Sequence, residues 1–481
     1  MAGPARYHAR TRNRSCRNGD RRRRGRSRQL APRHRRGASP VLKLWEPILA
    51  DLAAEPLDLA PRRFGLVAAC DGGLLEVSGL SVPVGAMCRV SHAPGKSLAA
   101  EVIGFRNGRT MMMLLGDMIL LRPGARVWAE GRPGLLPVGE SFLGRAVDGE
   151  GLPIDGGFPI HSRLEWPSGG VRTSALDRSP VRLPFDTGVR ALNALTTFGV
   201  GQRIGVMAGS GVGKSVLIDM IARGASAEVV VVGLIGERAR EVSDFVERHM
   251  QAEKKDKTVV VAVPADHAPN LRLRGAMMAT AMAEHFRARG RRVLLIMDSL
   301  TRVAHAAREI GLLLGEPGAA RGYPPSALAT ITKLVERAGN SAASGGSVTG
   351  LYTVLADGDN QDDPVVDTAR SILDGHIVLS RDLAQRGQYP AVDIAASLSR
   401  VMNDIVPAGH QQLARQFRAL IAGYEANRDL VLMGAYRAGA DPQLDRAIAM
   451  HDRLTDFLSQ PQGEIVDLAA SADALAALLG T

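Results

Sequence analysis

The chain has 481 residues, 45% of them hydrophobic but only 4% aromatic, so its cores must be built mainly from aliphatic side chains and methionine. Its formal charge of +11 is concentrated in residues 1–38, which carry 14 Arg and one acid, Asp20, while the remaining residues have a net charge of −2. This near-neutral remainder excludes an extended basic groove for nucleic acid, and three cysteines without a CxxC pair exclude a disulfide framework and fit a reducing cytosol.

Residues 1–40 are predicted to form a disordered, Arg-rich tail. The segment is rich in Arg, Gly, Ser and Pro and has almost no apolar side chains to bury in a core. Three interpretations are open: a tail that binds nucleic acid or membrane, an authentic unstructured extension, or upstream sequence translated from a wrongly chosen start. We favour the last interpretation. The next methionine is Met87, inside a predicted domain, so the true start would be a non-Met codon such as that of Val41.

Residues 41–133 are predicted to form an N-terminal domain with a small β-barrel. Gly65–Val77 and Leu98–Leu115 alternate apolar with small or polar residues, which is typical of half-buried strands. Asp71-Gly72-Gly73 and Asn107-Gly108 are predicted to be hairpin turns within these segments. Several short strands with glycine turns and no helix indicate a barrel.

Residues 134–404 are predicted to form an α/β domain with a parallel sheet, because strands and helices alternate there. The predicted strands are Arg203–Ala208, Glu228–Ile235, Thr258–Pro264 and Arg292–Met297, and the predicted helices are Ser215–Ala222 and Leu271–Arg289. Residues 405–481 are predicted to form a helical domain. Its apolar residues fall at helical spacing on one face: Leu413, Phe417, Leu420, Ile421 and Tyr424.

A glycine-rich segment between a predicted strand and a predicted helix carries the strongest chemical signal. AGSGVGKS, Ala208–Ser215, fits the phosphate-binding loop with Ala in the first Gly place. Its backbone N–H groups and the following helix N-terminus would cradle phosphates, Lys214 would reach the β- and γ-phosphates of ATP, and Ser215 would be a Mg²⁺ ligand. A chance turn is the alternative, but the flanking elements argue against it. The residues expected to bind the nucleotide are Gly209, Ser210, Gly211, Val212, Gly213, Lys214, Ser215 and Val216.

Two carboxylates follow predicted strands of the same sheet. Asp298 ends the apolar segment VLLIMD, where an Asp can hold Mg²⁺ opposite a phosphate-binding loop. Many buried strands end in Asp, so it is the loop upstream that makes this interpretation specific. Glu237 follows EVVVVGLI and is a candidate to orient and polarise the attacking water, and Arg238 beside it could contact phosphate or a neighbouring subunit. For Glu237 and Arg238 the alternative interpretation is a solvated charged loop.

The segment Tyr389–Arg400 supplies two further candidates. Tyr389 could stack on adenine, and Arg400 could reach a neighbouring subunit's site as an arginine finger. The residues alone leave Arg400 indistinguishable from an ordinary surface arginine.

Together these segments resemble the catalytic subunits of the rotary ATPase superfamily and its protein-export branch, from roughly Arg62 to Gln460. Val138–Gly156 and Thr187–Ser215 are similar to the start of the family's nucleotide domain. Pro390–Arg400 is similar to the superfamily signature segment, whose last residue is the finger. The resemblance implies an α/β P-loop (RecA-like) core, an N-terminal small β-barrel and a C-terminal helical domain.

The resemblance also implies a role for each candidate residue. Glu237 matches the catalytic glutamate and Arg238 the arginine adjacent to it. Asp298 matches the Mg²⁺-binding Asp, Tyr389 the adenine-stacking residue, and Arg400 the finger that acts in trans. The implied enzyme is an ATP hydrolase with ATP and Mg²⁺ as its cofactors.

Two segments indicate the branch of the superfamily. Gly358–Arg381 and Arg428–Ile448 resemble type III export ATPases, most closely the flagellum-specific members. The acidic segment typical of the C-terminal domain of synthase β-subunits is missing. ATPases of virulence-type (injectisome) secretion systems remain an alternative.

The resemblance implies a set of partners and a location. It implies a homo-hexamer that works with a flagellar export apparatus, comprising a membrane export gate, a stator-like regulator and a stalk-like subunit, and with export substrates and their chaperones. It implies a cytoplasmic protein bound peripherally at the cytoplasmic face of the inner membrane. No nucleic acid partner is expected.

Two rival functions share parts of this pattern. A hexameric RNA translocase would need a platform of aromatic and basic residues, but residues 62–133 contain only Phe64, Phe105 and Trp128 as aromatics. A non-catalytic ring subunit is opposed by the presence of Lys214, Glu237 and Asp298 together.

Overall fold

The computed structural model describes residues 63–116, 121–172, 174–250, 255–355 and 363–480. These residues all belong to one structural unit, Arg62–Thr481. The predicted tail of residues 1–40, and residues 41–62 of the predicted N-terminal domain, lie outside the described residues.

Among the described residues, six antiparallel strands close into a barrel in the order β1-β2-β5-β4-β3-β6, so the predicted N-terminal barrel is confirmed. The strands are β1 (Phe64–Asp71), β2 (Leu74–Ser78), β3 (Met87–Ala93), β4 (Lys96–Arg106), β5 (Arg109–Leu114) and β6 (Arg126–Glu130). Alternation sends side chains such as Val67, Leu75 and Val90 into its core. Asn107 and Gly108, at φ values of 50° and 73°, form the predicted hairpin turn between β4 and β5.

The centre of the molecule is an α/β sheet in the order β19-β18-β12-β17-β15-β13-β14-β8, with β16 paired to β17. Strands β18 to β8 of this order run parallel and β19 is antiparallel to β18, so the predicted parallel α/β core is confirmed. All seven residues of β13 are buried, as its continuous apolar run indicated. The strands are β8 (Arg145–Val147), β12 (Arg203–Ala208), β13 (Val229–Ile235), β14 (Thr258–Val263), β15 (Arg292–Asp298), β16 (Gly339–Asn340), β17 (Ser347–Leu355), β18 (Gly375–Leu379) and β19 (Val392–Ser399).

Two short strand pairs and a set of helices complete this part of the chain. The pairs are β7 (Leu135–Pro137) with β9 (Glu165–Pro167), and β10 (Pro184–Phe185) with β11 (Phe198–Gly199). The α-helices are Arg190–Leu195, Lys214–Gly224, Ala239–Met250, Pro269–Ala288, Leu300–Leu313, Pro325–Val335, Pro364–Ile372 and Arg381–Gln385. Single 3₁₀ turns lie at Glu140–Phe142, Ala175–Asp177, Lys255–Lys257 and Ala320–Gly322.

The C-terminal region is helical, as predicted, and it packs on the nucleotide sheet rather than standing apart. Its helices are Met402–Ile405, Ala408–Leu432, Pro442–Leu458 and Leu468–Leu479. Phe417 and Leu420, from the predicted apolar face, share one buried cluster with Leu192 and Ile204 of the α/β part. Asp441 caps the helix Pro442–Leu458 by accepting hydrogen bonds from two of its first backbone N–H groups. In the part of the chain that the structure describes, no helix is long and apolar enough to cross a membrane.

Candidate functional site

The phosphate-binding loop joins the end of β12 to the helix Lys214–Gly224, where the sequence predicted it. Gly211 and Gly213 have φ values of 78° and 86°, a left-handed conformation that glycine adopts without a steric penalty. Ser210, Gly211 and Ser215 are exposed, so the loop is open to a ligand. Backbone N–H groups and the positive end of the helix therefore face an accessible space, which is the arrangement that binds phosphate.

Three charged side chains meet beside this loop. Lys214 Nζ lies 3.2 Å from Glu237 Oε1 and also contacts Asp298 Oδ1. All three side chains are at most 10% exposed. The structure thus brings together a lysine and two carboxylates that are separated by 23 and 84 residues in the sequence.

Strand order explains why these residues meet. The loop follows β12, Asp298 ends β15, and Glu237 follows β13, and these strands lie in the order β12-β17-β15-β13. They run parallel, so their carboxyl ends share one edge of the sheet. In open α/β sheets, ligands bind outside the carboxyl ends of the strands. The site therefore occupies the edge where this fold places ligands.

The cluster perturbs its own protonation. Burial raises the pKa of Glu237, the negative charge of Asp298 raises it further, and the Lys214 ammonium acts in the opposite direction. For Lys214 burial lowers the pKa, but the two carboxylates outweigh it, so the net pKa is raised and the ammonium stays charged. A carboxyl whose pKa is raised towards neutrality is suited to act as a base on a water molecule.

Ser215, Glu237 and Asp298 line one cavity of about 180 Å³. The hydroxyl of Ser215 and the carboxylate of Asp298 are oxygen donors of the kind that Mg²⁺ prefers. Within the described ranges no group of three or more His, Cys, Asp or Glu side chains could hold a metal ion by itself. The donor set therefore fits a Mg²⁺ ion that takes most of its ligands from nucleotide phosphates and water.

Two side chains beside the cluster were missed by the sequence analysis. Thr353 Oγ1, on β17, donates a 2.6 Å hydrogen bond to Asp298 Oδ1 and so orients that carboxylate. Arg302 packs against Gly236, since a Cβ added to Gly236 would lie 2.7 Å from the Cβ of Arg302. The Nε of Arg302 has no hydrogen-bond partner among the described residues. Thr353 is separated from Asp298 by 55 residues, so only knowledge of the strand order could have found it.

A second cavity borders the helix that follows the phosphate-binding loop. Tyr389 is 44% exposed, and its ring lies 3.4 Å from the position that a Cβ on Gly213 would occupy. Val216, Met220, Tyr389 and the segment 459–462 line this cavity. The backbone N–H of Gln460 donates a 2.9 Å hydrogen bond to the carbonyl of Tyr389 and holds it there. The cavity offers an apolar and aromatic surface for a base, and its C-terminal wall was not predicted.

The structure does not bring Arg400 to the cluster. Its backbone N–H bonds to the carbonyl of Asp374, which precedes β18, whereas Leu379 at the far end of β18 pairs with Ala208 beside the loop. Five residue steps of extended strand span about 17 Å, more than the reach of an arginine side chain. Arg400 is exposed at that opposite edge.

Arg238 also lies outside the contacts of the cluster. Its side chain is 82% exposed, and its charged neighbour is Glu241, with Nη1 and Oε1 separated by 3.8 Å. It is therefore free to meet a ligand or another molecule near Glu237.

Comparison with known proteins agrees with this fold. Residues 188–399 match the nucleotide-binding domain of the ATP synthase alpha/beta family, and residues 406–477 match the T3SS EscN ATPase C-terminal domain. The flagellum-specific ATP synthase of Salmonella typhimurium is 49% identical to this chain, over 86% of the chain and 93% of that protein. The type 3 secretion system ATPase of Xanthomonas euvesicatoria is 45% identical, over 84% of the chain and 91% of that protein.

The chain belongs to the flagellar and type III secretion branch of the ATP synthase alpha/beta family. The assembled ATPase EscN from the enteropathogenic E. coli type III secretion system has a TM-score of 0.81 to it at 38% identity, covering 86% of this chain and 99% of that one. As a member of this branch the chain is an ATP-hydrolysing export ATPase. The predicted family and enzyme class are confirmed.

Proposed function

We propose that this export ATPase hydrolyses Mg·ATP to power type III export of flagellar proteins. The observation that carries the proposal is the contact of Lys214 with Glu237 and Asp298 beside an open phosphate-binding loop. Flagellar export is favoured over a virulence-type system because the flagellum-specific relatives from Salmonella typhimurium and Pseudomonas aeruginosa are both 49% identical, against 45% for the Xanthomonas secretion ATPase.

We assign each residue of the site a role on physical grounds. Residues 209–216 bind the phosphates. Lys214 gives up its contacts with Glu237 and Asp298 and pairs with the β- and γ-phosphates instead. Ser215 and Asp298 hold Mg²⁺, which when bound neutralises charge that develops on the phosphate oxygens. Glu237 orients and polarises the attacking water, and Arg238, exposed beside it, contacts phosphate or a neighbouring subunit.

Tyr389 stacks on the adenine in the cavity beside the loop. Arg400 serves the site of another subunit, and its distance of about 17 Å from its own loop supports this role over one in cis. This role requires a ring, and we propose a homo-hexamer. The solved EscN structures are of an assembled ATPase and of that ATPase with its central stalk EscO, which supports a ring with a stalk-like partner for this chain.

The remaining partners and the domain limits follow from the same proposal. The ring would act at the cytoplasmic face of the inner membrane, with a membrane export gate, a stator-like regulator, export substrates and chaperones. Residues 41–133, 134–404 and 405–481 are proposed as the barrel, ATPase and helical domains.

Replacing Glu237 with Gln is expected to lower kcat about 10²–10⁴-fold while Mg·ATP still binds, because the amide keeps the shape but cannot act as a base.

In the unaltered protein, the ATPase activity should fall on acidification at a pH above the ordinary carboxyl range. The raised pKa means that the active carboxylate is protonated earlier as the pH falls. Steady-state ATPase assays across pH, with nucleotide binding measured separately, test both expectations.

Glu247→Gln is the matched control, since Glu247 is exposed on the next helix and does not contact Lys214. It should keep near-normal kcat. If Glu237→Gln loses nucleotide binding instead of turnover, Glu237 is structural and the proposed role is wrong.

The RNA translocase alternative predicts stimulation of the ATPase by single-stranded RNA. A variant that lacks residues 1–38 has a net charge of −2, so we expect polyuridylate to leave its ATPase rate unchanged. The full chain serves as the comparison, because the tail's 14 Arg can bind RNA without sequence preference. Severalfold stimulation of the tail-less variant would favour the translocase.

A further inference from the structure

Gln202 is a fully buried amide immediately before β12, and the catalytic roles proposed above do not use it. Its Oε1 accepts a 2.8 Å hydrogen bond from the backbone N–H of Gly199. Its Nε2 donates one hydrogen bond of 2.9 Å to the carbonyl of Asp374 and another of 3.1 Å to Ser399 Oγ. Each polar atom of the amide therefore has a partner, which fixes its orientation.

Both acceptors of Gln202 are next to Arg400. Ser399 immediately precedes Arg400, and the carbonyl of Asp374 also accepts the 3.0 Å hydrogen bond from the Arg400 backbone N–H. Ser399 Oγ in turn donates a 2.8 Å hydrogen bond to the carbonyl of Thr197. The backbone from which the Arg400 side chain departs is therefore held by buried hydrogen bonds, although the side chain itself is exposed.

Arg203, the residue after Gln202, strengthens the same attachment. Its Nε and Nη2 donate to the two carboxylate oxygens of Asp374 at 3.0 and 3.2 Å, and its backbone N–H donates to Oδ2 at 3.1 Å. The backbones of Gly375 and Leu398 pack closely, because a Cβ on Gly375 would lie 2.5 Å from the carbonyl oxygen of Leu398.

The strand that carries this attachment also carries the phosphate-binding loop. Gln202 immediately precedes β12, and the loop follows Ala208 at the end of this strand, about 20 Å away. The parallel strands β18 and β17 flank β12, and five of the six residues of β12 are buried. The phosphate-binding loop and the base of Arg400 are therefore attached to opposite ends of one strand.

We propose that Gln202 is a positioning residue for Arg400, which it joins to the strand that bears the chain's own phosphate-binding loop. The inference rests on the proposed role of Arg400 in a neighbouring subunit's site. The proposal predicts that replacing Gln202 lowers turnover at the neighbouring subunit's site. It predicts no change in the affinity of the chain's own loop for nucleotide.

Gln202→Met is the variant of choice, because methionine has nearly the same length and shape but cannot make these hydrogen bonds. A misplacement of about 1 Å at a catalytic group can cost 10²-fold in rate, so we expect kcat of the assembled protein to fall roughly 10–100-fold. Nucleotide affinity should stay within about twofold, because the loop is intact. Thr280→Val is the control for loss of a buried side-chain hydrogen bond, since Thr280 Oγ1 donates to the carbonyl of Ala276 within its own helix. It should keep normal kcat.

Complementation separates a finger defect from a general structural defect. Gln202→Met is mixed with Lys214→Ala, whose loop is disabled but whose Arg400 is normal, and co-assembly is shown with differently tagged subunits. The mixture should regain activity to the level of an Arg400→Ala and Lys214→Ala mixture. A Gln202→Met and Arg400→Ala mixture should regain none, because neither partner supplies a well-placed finger.

The outcomes distinguish this inference from the proposal on which it rests. If the Arg400→Ala and Lys214→Ala reference recovers but Gln202→Met with Lys214→Ala does not, Gln202 supports its own loop and the inference is wrong. Recovery of Gln202→Met with Arg400→Ala would overturn it equally. If the reference itself fails to recover, the trans role of Arg400 is wrong and the inference falls with it.

A milder variant covers the case in which Gln202→Met does not fold. Ser399→Ala removes one acceptor of Gln202 and the hydrogen bond to Thr197 while leaving the amide in place. It should show a smaller fall in kcat and the same complementation with Lys214→Ala. Normal kcat in folded, assembled Ser399→Ala would contradict the proposal.

Discussion

Replacing Arg400 with Ala is expected to lower kcat about 10³–10⁵-fold, the contribution that arginine fingers make in other NTPases. Nucleotide binding should be nearly unchanged, because Arg400 lies at the sheet edge opposite its own phosphate-binding loop. Steady-state turnover and binding of a fluorescent ATP analogue measure the two quantities separately.

Arg415→Ala is a suitable control, since it removes an exposed arginine from the helix Ala408–Leu432. It should retain normal turnover and assembly. A large loss of nucleotide affinity in monomeric Arg400→Ala would place Arg400 in its own site and contradict the proposed role.

Replacing Lys214 with Ala is expected to reduce ATP turnover below detection. The change removes the cation for the β- and γ-phosphates, and it also leaves Glu237 and Asp298 facing each other without a counter-charge. Both effects disfavour binding of a polyanion at this edge of the sheet. Isothermal titration with Mg·ATP should therefore show much weaker binding as well as lost hydrolysis.

Lys333→Ala is the matched control for this prediction, because Lys333 is exposed on the helix Pro325–Val335. It should leave ATP turnover unchanged. Near-normal turnover in folded Lys214→Ala would show that hydrolysis takes place elsewhere, and the assignment of this loop would be wrong.

The parts of the fold that were predicted from sequence are those specified by local patterns. The turn at Asn107 and Gly108 has residues that tolerate positive φ, and β13 has an unbroken apolar run. The phosphate-binding loop combines a local residue pattern with a preceding strand and a following helix, so its position needed no knowledge of the tertiary structure.

The residues that were missed depend on the order of strands in the sheet. Thr353 reaches Asp298 only because β17 lies next to β15, and Gln202 reaches Ser399 across 197 residues. Gln460 joins Tyr389 because the C-terminal helices fold back onto the nucleotide sheet. Thr353 and Gln460 belong to no motif, and the family segment that contains Gln202 gave it no role. No sequence periodicity records such contacts.

Arg400, in contrast, was named from the sequence, but its distance from its own loop could not be predicted. The signature segment implied an arginine finger by resemblance. The antiparallel pairing of β19 with β18 is the physical reason why Arg400 lies far from its own loop. Val392 at the start of β19 lies beside Leu379 at the loop edge, and Ser399 at its end lies beside Gly375 at the far edge. A group placed there is too far from its own loop to reach it, which supports the proposed role of Arg400 in another subunit's site.

The central claim is that each complete site is formed by two subunits, and the activity of mixed rings tests it most directly. Arg400→Ala and Lys214→Ala, each inactive alone, should regain activity when co-assembled. In a random 1:1 mixture about a quarter of the interfaces pair an intact loop with an intact finger. Recovery towards that fraction of normal turnover is the predicted result. No recovery in rings shown to contain both variants, or full activity in an isolated monomer of the unaltered chain, would contradict the account.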